Sequence, residues 1–425
     1  MLNFERFKLK NGLRLITHYD PESPLASIDI HYRVGSRNDD PRQTGMAHLM
    51  EHLMFSGTPS VPSFDMVVQN AGGENNAFTT CDSTNYNITL PANNIGAALM
   101  LEADRMRNIK ISKSNFEREK KVVLEEFKET CLNKPYGDSF HLLCQLAYKR
   151  HPYRWPTIGI DEKTIASLDL KMAKNFYHEF YQPSNAVLTI NSNLPGKDLL
   201  EMVDHYFGNI KSTTGKTNKY PKEPVQNKIR SSVAPRKTPA DAIYMAFRMG
   251  SRLEHDFYVA DVISDLLSNG HSTRLFKRLV RGKKLVSTID ASITGSLDPG
   301  LFIIEAKAIP GKSIEVVEEA IWAELDDLKS KLIPEKELTK IKNTIEASLL
   351  FSEVNGLNKA ITLGFFEMLG NAELANQEGD KYQAITREDI LNVSKNIFRK
   401  ENCSKVYYER APDGAGYFEE DEDDD

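Results

Sequence analysis

The stretch YRVGSRNDDPRQTGMAHLMEHLMFSG, residues 32–57, changes period partway along. It enters as a strand: Ile28, Ile30 and Tyr32 alternate with Asp29 and His31, and Gly35 ends the run. Helical spacing then takes over through the closing segment. The same order returns later. FRMGSR (247–252) repeats YRVGSR (32–37), and VADVISDLLSNG (259–270) aligns with MAHLMEHLMFSG (46–57). In the second copy Asp261, Ser264 and Asp265 stand where His48, Glu51 and His52 stand in the first. An internal duplication in which one copy has the chemistry is the simplest account. Between the copies, STTGKTNKYPKEPVQN (212–227) is polar and carries Pro221 and Pro224, so it reads as a linker. The expected division is therefore a first domain over 1–211, a linker over 212–235, a homologous second domain over 236–418 without the polar triplet, and an acidic tail over 419–425.

The rest of the chain fits two ordinary globular halves. At 425 residues it has the length of two or three domains. Near the start, Phe7, Leu9, Leu13 and Leu15 alternate about Asn11-Gly12, which predicts a hairpin with a type I′ turn. Alternating strand and helix signals predict an α+β fold. The tail EEDEDDD holds seven acids against a net charge of -6, so the body is near neutral. That gives no electrostatic case for nucleic acid or an anionic membrane surface as partner. No apolar run reaches the length of a membrane span. The N-terminus MLNFERFKLKNG lacks the apolar core of a signal peptide, so the expected location is cytoplasmic, or periplasmic for a processed form. The four cysteines, Cys81, Cys131, Cys144 and Cys403, are scattered with no CxxC pair, the usage of reduced thiols.

His48 and His52 lie four apart, so on a helix their imidazoles share one face and can reach a common point about 2 Å from each. Glu51 borders that face. Zinc takes neutral imidazole nitrogens, and hydrolysis needs a carboxylate beside the activated water. The order is that of HExxH reversed. The alternative is two helix histidines and a surface glutamate. However, Leu49, Met50, Leu53, Met54 and Phe55 surround the triplet, and burying three polar groups there without partners would cost several kcal/mol. A third ligand is sought in NFEREKKVVLEEFKET, 115–130. Phe116, Val123, Leu124 and Phe127 set the apolar direction. Glu125 then falls toward solvent, while Glu126 and Glu119 flank the apolar face two turns apart. Glu126 is the best ligand and Glu119 the best carboxylate to orient a ligand. Spacing alone leaves Glu129 open.

With these motifs the chain resembles the pitrilysin-type M16 zinc peptidases, the inverted-motif family that includes insulin-degrading enzyme and the mitochondrial processing peptidase. The resemblance runs nearly end to end. It rests on KNGLRLI, VGSRNDDPRQTGMAHLMEHLMFSGT, NAFTTCDSTNYNITLP (76–91), FEREKKVVLEEF, HPYRWPTIG (151–159), YQPSNAVLTI (181–190), STRLFKRL (272–279) and LDPGLFIIEA (297–306). It implies two similar domains of the processing-peptidase metallohydrolase fold, each a mixed, largely antiparallel sheet packed with helices. It implies one zinc per chain on His48, His52 and Glu126, with Glu51 as general base. Asn76, Ala77 and Phe78 match the edge strand that binds the substrate backbone by strand addition. The implied partners are a peptide substrate and a second chain closing a clam-like enclosure.

One departure stands out. Self-sufficient relatives carry an arginine and a tyrosine seven apart in the second half. Here the register places Val280 and Ser287, with Arg278 or Arg281 as substitutes for the arginine and no nearby tyrosine. This pattern resembles the zinc-bearing member of a two-chain peptidase, whose partner supplies the Arg/Tyr pair. The expected dimer is either a homodimer or a heterodimer with an Arg/Tyr-bearing homologous chain. Two other readings are a non-catalytic assembly subunit of the same fold and a small-molecule hydrolase on the inverted motif. The intact His48, Glu51, His52 and Glu126 set speaks against the first, and the two-halved architecture against the second.

Overall fold

The computed structural model describes residues 1–212, 219–235 and 237–410. The acidic tail at 419–425 lies outside the described residues, as do 213–218 of the expected linker. The chain forms two compact units. The first comprises Met1–Lys128, His151–Lys222 and Thr344–Lys381; the second comprises Glu129–Arg150, Glu223–Asn343 and the described residues from Tyr382 on.

The first unit is built on six strands: β1 (Glu5–Lys8), β2 (Arg14–Tyr19), β3 (Leu25–Tyr32), β4 (Glu74–Thr79), β5 (Thr84–Pro91) and β6 (Ala186–Ser192). Their order is β1-β2-β6-β3-β5-β4. Only β2 and β6 run parallel; the other neighbours are antiparallel. The helices α1 (Met46–Met54), α2 (Ile95–Asn108) and α3 (Lys113–Phe127) belong to this unit. The second unit has β7 (Arg230–Val233), β8 (Ala242–Arg248), β9 (Val286–Ile293), β10 (Leu301–Ala308) and β11 (Cys403–Tyr408), in the order β7-β11-β8-β10-β9. Here β7 and β11 are the parallel pair. With β1 set aside, the two sheets have the same order and the same pattern of directions, and α4 (His255–Ser268) follows β8 as α1 follows β3. The duplication is therefore topological, and the fold is α+β with two similar units.

The N-terminal hairpin forms, but its turn is not type I′. Gly12 takes φ +94°, whereas Asn11 is not among the residues with positive φ. The Asn11 side chain instead accepts from the Leu13 N–H and donates to the carbonyls of Phe207 and Ile210 at 2.8 and 3.1 Å. Those tertiary bonds fix its backbone, an influence that the dipeptide alone does not reveal.

The first sheet is buried on both faces at its centre. Ile28, Ile30, Tyr32, Tyr86, Ile88, Leu188 and Ile190 form one apolar face. On the other, Asp29, His31, Asn85, Thr189 and Asn191 are equally buried, beneath the helix Gly356–Met368. Burying these polar groups is costly unless they bond one another. Asp29 Oδ2 meets His31 Nδ1 at 2.5 Å, and Asn85 Nδ2 donates to Asp29 Oδ1 at 2.7 Å. The helix lies so close that a Cβ on Gly364 would come within 2.9 Å of His31 Nδ1 and Thr189 Oγ1. Among the described residues, no helix is long and apolar enough to cross a membrane.

Candidate metal centre

Helix α1 starts on Gly45, whose φ of 96° precludes an ordinary side-chain cap. Asp39 does that work from a turn upstream. Its Oδ2 accepts from the Gly45 N–H at 2.8 Å and its Oδ1 from the Ala47 N–H at 3.0 Å. The carboxylate thus satisfies donors left open by the first turn and faces the positive end of the helix dipole. The far end of α1 is held by an aromatic box. The buried Arg105 of α2 lies over Tyr86, Phe64 and Phe55, with its guanidinium 4.3, 4.5 and 5.7 Å from the ring centroids. Its Nε donates to the buried Glu102 at 2.8 Å. Met46, Ala47, Leu49, Met50, Leu53 and Met54 are buried, which leaves His48, Glu51 and His52 on the half-open side.

Helix α3 brings the third group. Ser112 caps it through the Asn115 N–H at 3.2 Å, and Phe116, Val123 and Phe127 fix its buried side. Glu126 Oε2 then lies 3.7 Å from His48 Nε2 and 3.5 Å from His52 Nε2. One donor atom from each of the three residues lies within 4.8 Å of the others. Donors that sit about 2 Å from one tetrahedral zinc are roughly 3.3 Å apart, so the set is close to a metal-binding arrangement. Glu119 Oε2 is 3.8 Å from the other ring nitrogen of His52, Nδ1, where it can fix the ring's orientation. Glu125 points to solvent. Glu129 is exposed, and it falls in the wide-turn segment Lys128–Asn133 that follows α3, outside the cluster.

The electrostatics suit a cation. Burial lowers the His48 pKa to about 4, so its imidazole is neutral, as a ligand must be. Burial also acts to lower His52, but the carboxylates of Glu126, Glu51 and Glu119 outweigh it and raise the value. The Glu126 carboxyl is lowered by its bond to His52. Two imidazoles thus sit among three carboxylates, a surplus of negative charge that a divalent ion would balance. His48 Nδ1 is buried with no hydrogen-bond partner, so the ring is oriented by packing. The donor set fits zinc.

Glu51 lies beside this cluster. Burial raises its pKa, while hydrogen bonds from Thr79 oppose the shift. The Thr79 hydroxyl donates to the Glu51 carboxylate. Thr79 ends β4, which is the outer strand of the sheet and runs along α1. Asn76 and Phe78 of this strand are exposed and Ala77 is half-buried. Sequence reasoning did not single out Thr79 or Asp39. Thr79 stood within the NAFTT run, but nothing local ties it to Glu51, 28 residues earlier.

The described residues of the second unit form no equivalent centre. Asp261 accepts from the Tyr382 hydroxyl at 2.5 Å, Asp265 from Asn269 at 2.9 Å, and Ser264 donates to the Asp261 carbonyl. Among the described residues, no second group of donors converges. Val280 is half-buried in the segment Phe276–Gly282, and Ser287 is exposed on β9. Of the two candidate substitutes, Arg278 is paired with Glu324 and Asp327, and Arg281 lies over Phe276 at 5.5 Å. The thiols of Cys131, Cys144 and Cys403 are buried, and burial raises Cys144 and Cys403.

The chain is similar to known proteins along nearly its whole length. The profile described as Insulinase (Peptidase family M16) matches residues 14–159, and that described as Peptidase M16 inactive domain matches 167–345. The chain is 27% identical over 409 residues to the zinc protease PqqE of Helicobacter pylori, covering 95% of this chain and 92% of that protein. A crystal structure of a protease from Helicobacter pylori superposes with a TM-score of 0.92 at 27% identity, covering 96% of this chain and all of that one. A peptidase M16 inactive domain from Pseudomonas fluorescens shares the fold, with a TM-score of 0.85 at 17% identity over 97% of this chain and 99% of that one. Two matched domains in succession, one with the donor set and one without, make the chain a member of peptidase family M16, of its short two-domain type.

Proposed function

We propose that the protein is a zinc-dependent endopeptidase acting on peptides or small unfolded polypeptides. The observation that carries this reading is the convergence of His48, His52 and Glu126 with Glu51 alongside, next to an open strand edge. His48, His52 and Glu126 hold one zinc per chain. Bound there, zinc supplies Lewis-acid polarisation of a scissile carbonyl and acidifies water. The chain's own groups do the rest. Glu51 accepts a proton from the attacking water and delivers it to the leaving amine, and its raised pKa suits both halves of that exchange. Glu119 orients His52. A peptide pairs through main-chain bonds with the open edge of β4, the strand that holds Asn76, Ala77 and Phe78, so side-chain demands are loose.

Val280 has no donor and Ser287 offers only a short hydroxyl where an arginine and a tyrosine would reach a tetrahedral intermediate. The protein therefore acts in a dimer, with the missing donors supplied by a homologous chain. The test is cleavage of a quenched fluorescent peptide library by the purified chain, with and without chelator, with zinc quantified on the same sample. Chelator-sensitive cleavage supports the peptidase reading. About one zinc per chain without cleavage directs the search to a second chain. Absence of zinc overturns the reading.

A further inference from the structure

The outer strand β4 has two kinds of backbone group. Thr80 N–H pairs with the Ser83 carbonyl at 2.8 Å, so Phe78 and Asn76, two and four residues back, also face β5. Asn75, Ala77 and Thr79 then face outward. The Ala77 N–H is bonded by the Asn76 side chain at 2.8 Å, a weak internal plug that a substrate carbonyl can displace. Thr79 differs. Its hydroxyl donates to the Glu51 carboxylate. Among the described residues, no other side chain is hydrogen-bonded to that carboxylate. The residue that ends the outer strand therefore also holds the group beside the metal ligands.

We propose that Thr79 is the positioning residue of Glu51: from the end of the substrate-binding edge its hydroxyl fixes the carboxylate, so that the strand that registers the peptide also orients the base. This rests on the peptidase reading given above. A bound peptide is then registered by Asn75 and Ala77, and the peptide bond that follows is delivered beside Glu51. A base held by a fixed donor loses less orientational freedom on each turnover than a free glutamate.

The test compares Thr79→Val, which keeps the shape and removes the hydroxyl, with Thr79→Ser, which keeps the hydroxyl. Thr79→Ala replaces the first should it not fold. For the valine variant, kcat falls about tenfold or more while KM, melting temperature and bound zinc stay at wild-type values. Serine restores kcat to within about threefold. A readout independent of turnover comes from the metal-free chain carrying carboxyl-labelled glutamate. The Glu51 resonance, assigned with Glu51→Gln, moves in the valine variant and returns in the serine variant. Three results overturn the proposal: a valine variant with unchanged kcat and resonance, equal losses in valine and serine, or loss of zinc in the valine variant. A wild-type chain that holds no zinc overturns the peptidase reading alone, one that holds zinc without chelator-sensitive cleavage points to a missing second chain, and in either case the resonance decides the role of Thr79.

Discussion

Glu126 rather than Glu129 joins the two histidines because the helix changes its winding between them. Regular α-helical bonding ends at Phe127, and Lys128–Asn133 continues with a wider turn. A residue three positions on is then no longer rotated back to the same face. The two carboxylates next to the histidines have separable duties, and substitution distinguishes them. Glu126→Gln weakens zinc binding, because an amide is a poor ligand and leaves His52 beside one fewer anion; calorimetric titration of the metal-free chain with zinc reads this. Glu51→Gln retains zinc and loses about 10²–10⁴ in kcat, since it removes only the proton acceptor. Equal zinc loss in both variants would show that Glu51 is itself a ligand.

At the scale of elements, α1 is positioned by two contacts outside its own sequence. Asp39→Ala opens the N–H groups of Gly45 and Ala47 and costs about 1–2 kcal/mol, seen as a lower melting temperature together with weaker zinc binding. In the second unit, the helix Ile314–Ser330 is tied to β11 through Glu318, which accepts from Lys405 at 2.5 Å and Trp322 at 3.1 Å, and also from Tyr407. Burial acts to raise the Glu318 carboxyl, but these bonds outweigh it and lower the value. A depressed carboxyl stabilises the fold fully above its unfolded pKa, here 4.5, and loses that contribution as pH falls through the lower folded value. Thermal melts of Glu318→Gln are therefore expected to differ from wild type at pH 7 and to converge with it in acid. Legibility followed the range of the forces. The strand–turn–helix order, its repeat and the HxxEH face could be read because each depends on neighbours within one or two turns. The Asn11 turn, the Asp39 cap and the seating of Gly356–Met368 on β3 and β6 depend on partners that no local pattern names. Gly364 looks like a poor helix residue until His31 and Thr189 are found where its Cβ would sit.

At the scale of the whole molecule, the duplication explains why one unit brings His48, His52 and Glu126 together while the described residues of the other converge on no such group. The two sheets share strand order, so the second unit could in principle carry an equivalent centre. Instead Asp261 and Asp265 are committed to Tyr382 and Asn269, and that unit's helix is free to serve packing alone. The donors expected from the second half are also missing: Ser287 is exposed on the outer strand β9, and Arg278 is tied to Glu324 and Asp327. If these absences limit the chain, restoring the pair should relieve the limit. The double variant Val280→Arg, Ser287→Tyr is expected to raise kcat of the isolated chain by about tenfold or more, within the 10²–10³ attributable to one such donor, with zinc content unchanged. Ser287→Tyr is the less disruptive half because the site is exposed; Val280 is half-buried, so the melting temperature of the arginine variant must be followed alongside. A stable, zinc-loaded double variant no faster than wild type would mean that the chain already completes its transition state with other groups, and that its dimer needs no Arg/Tyr-bearing partner.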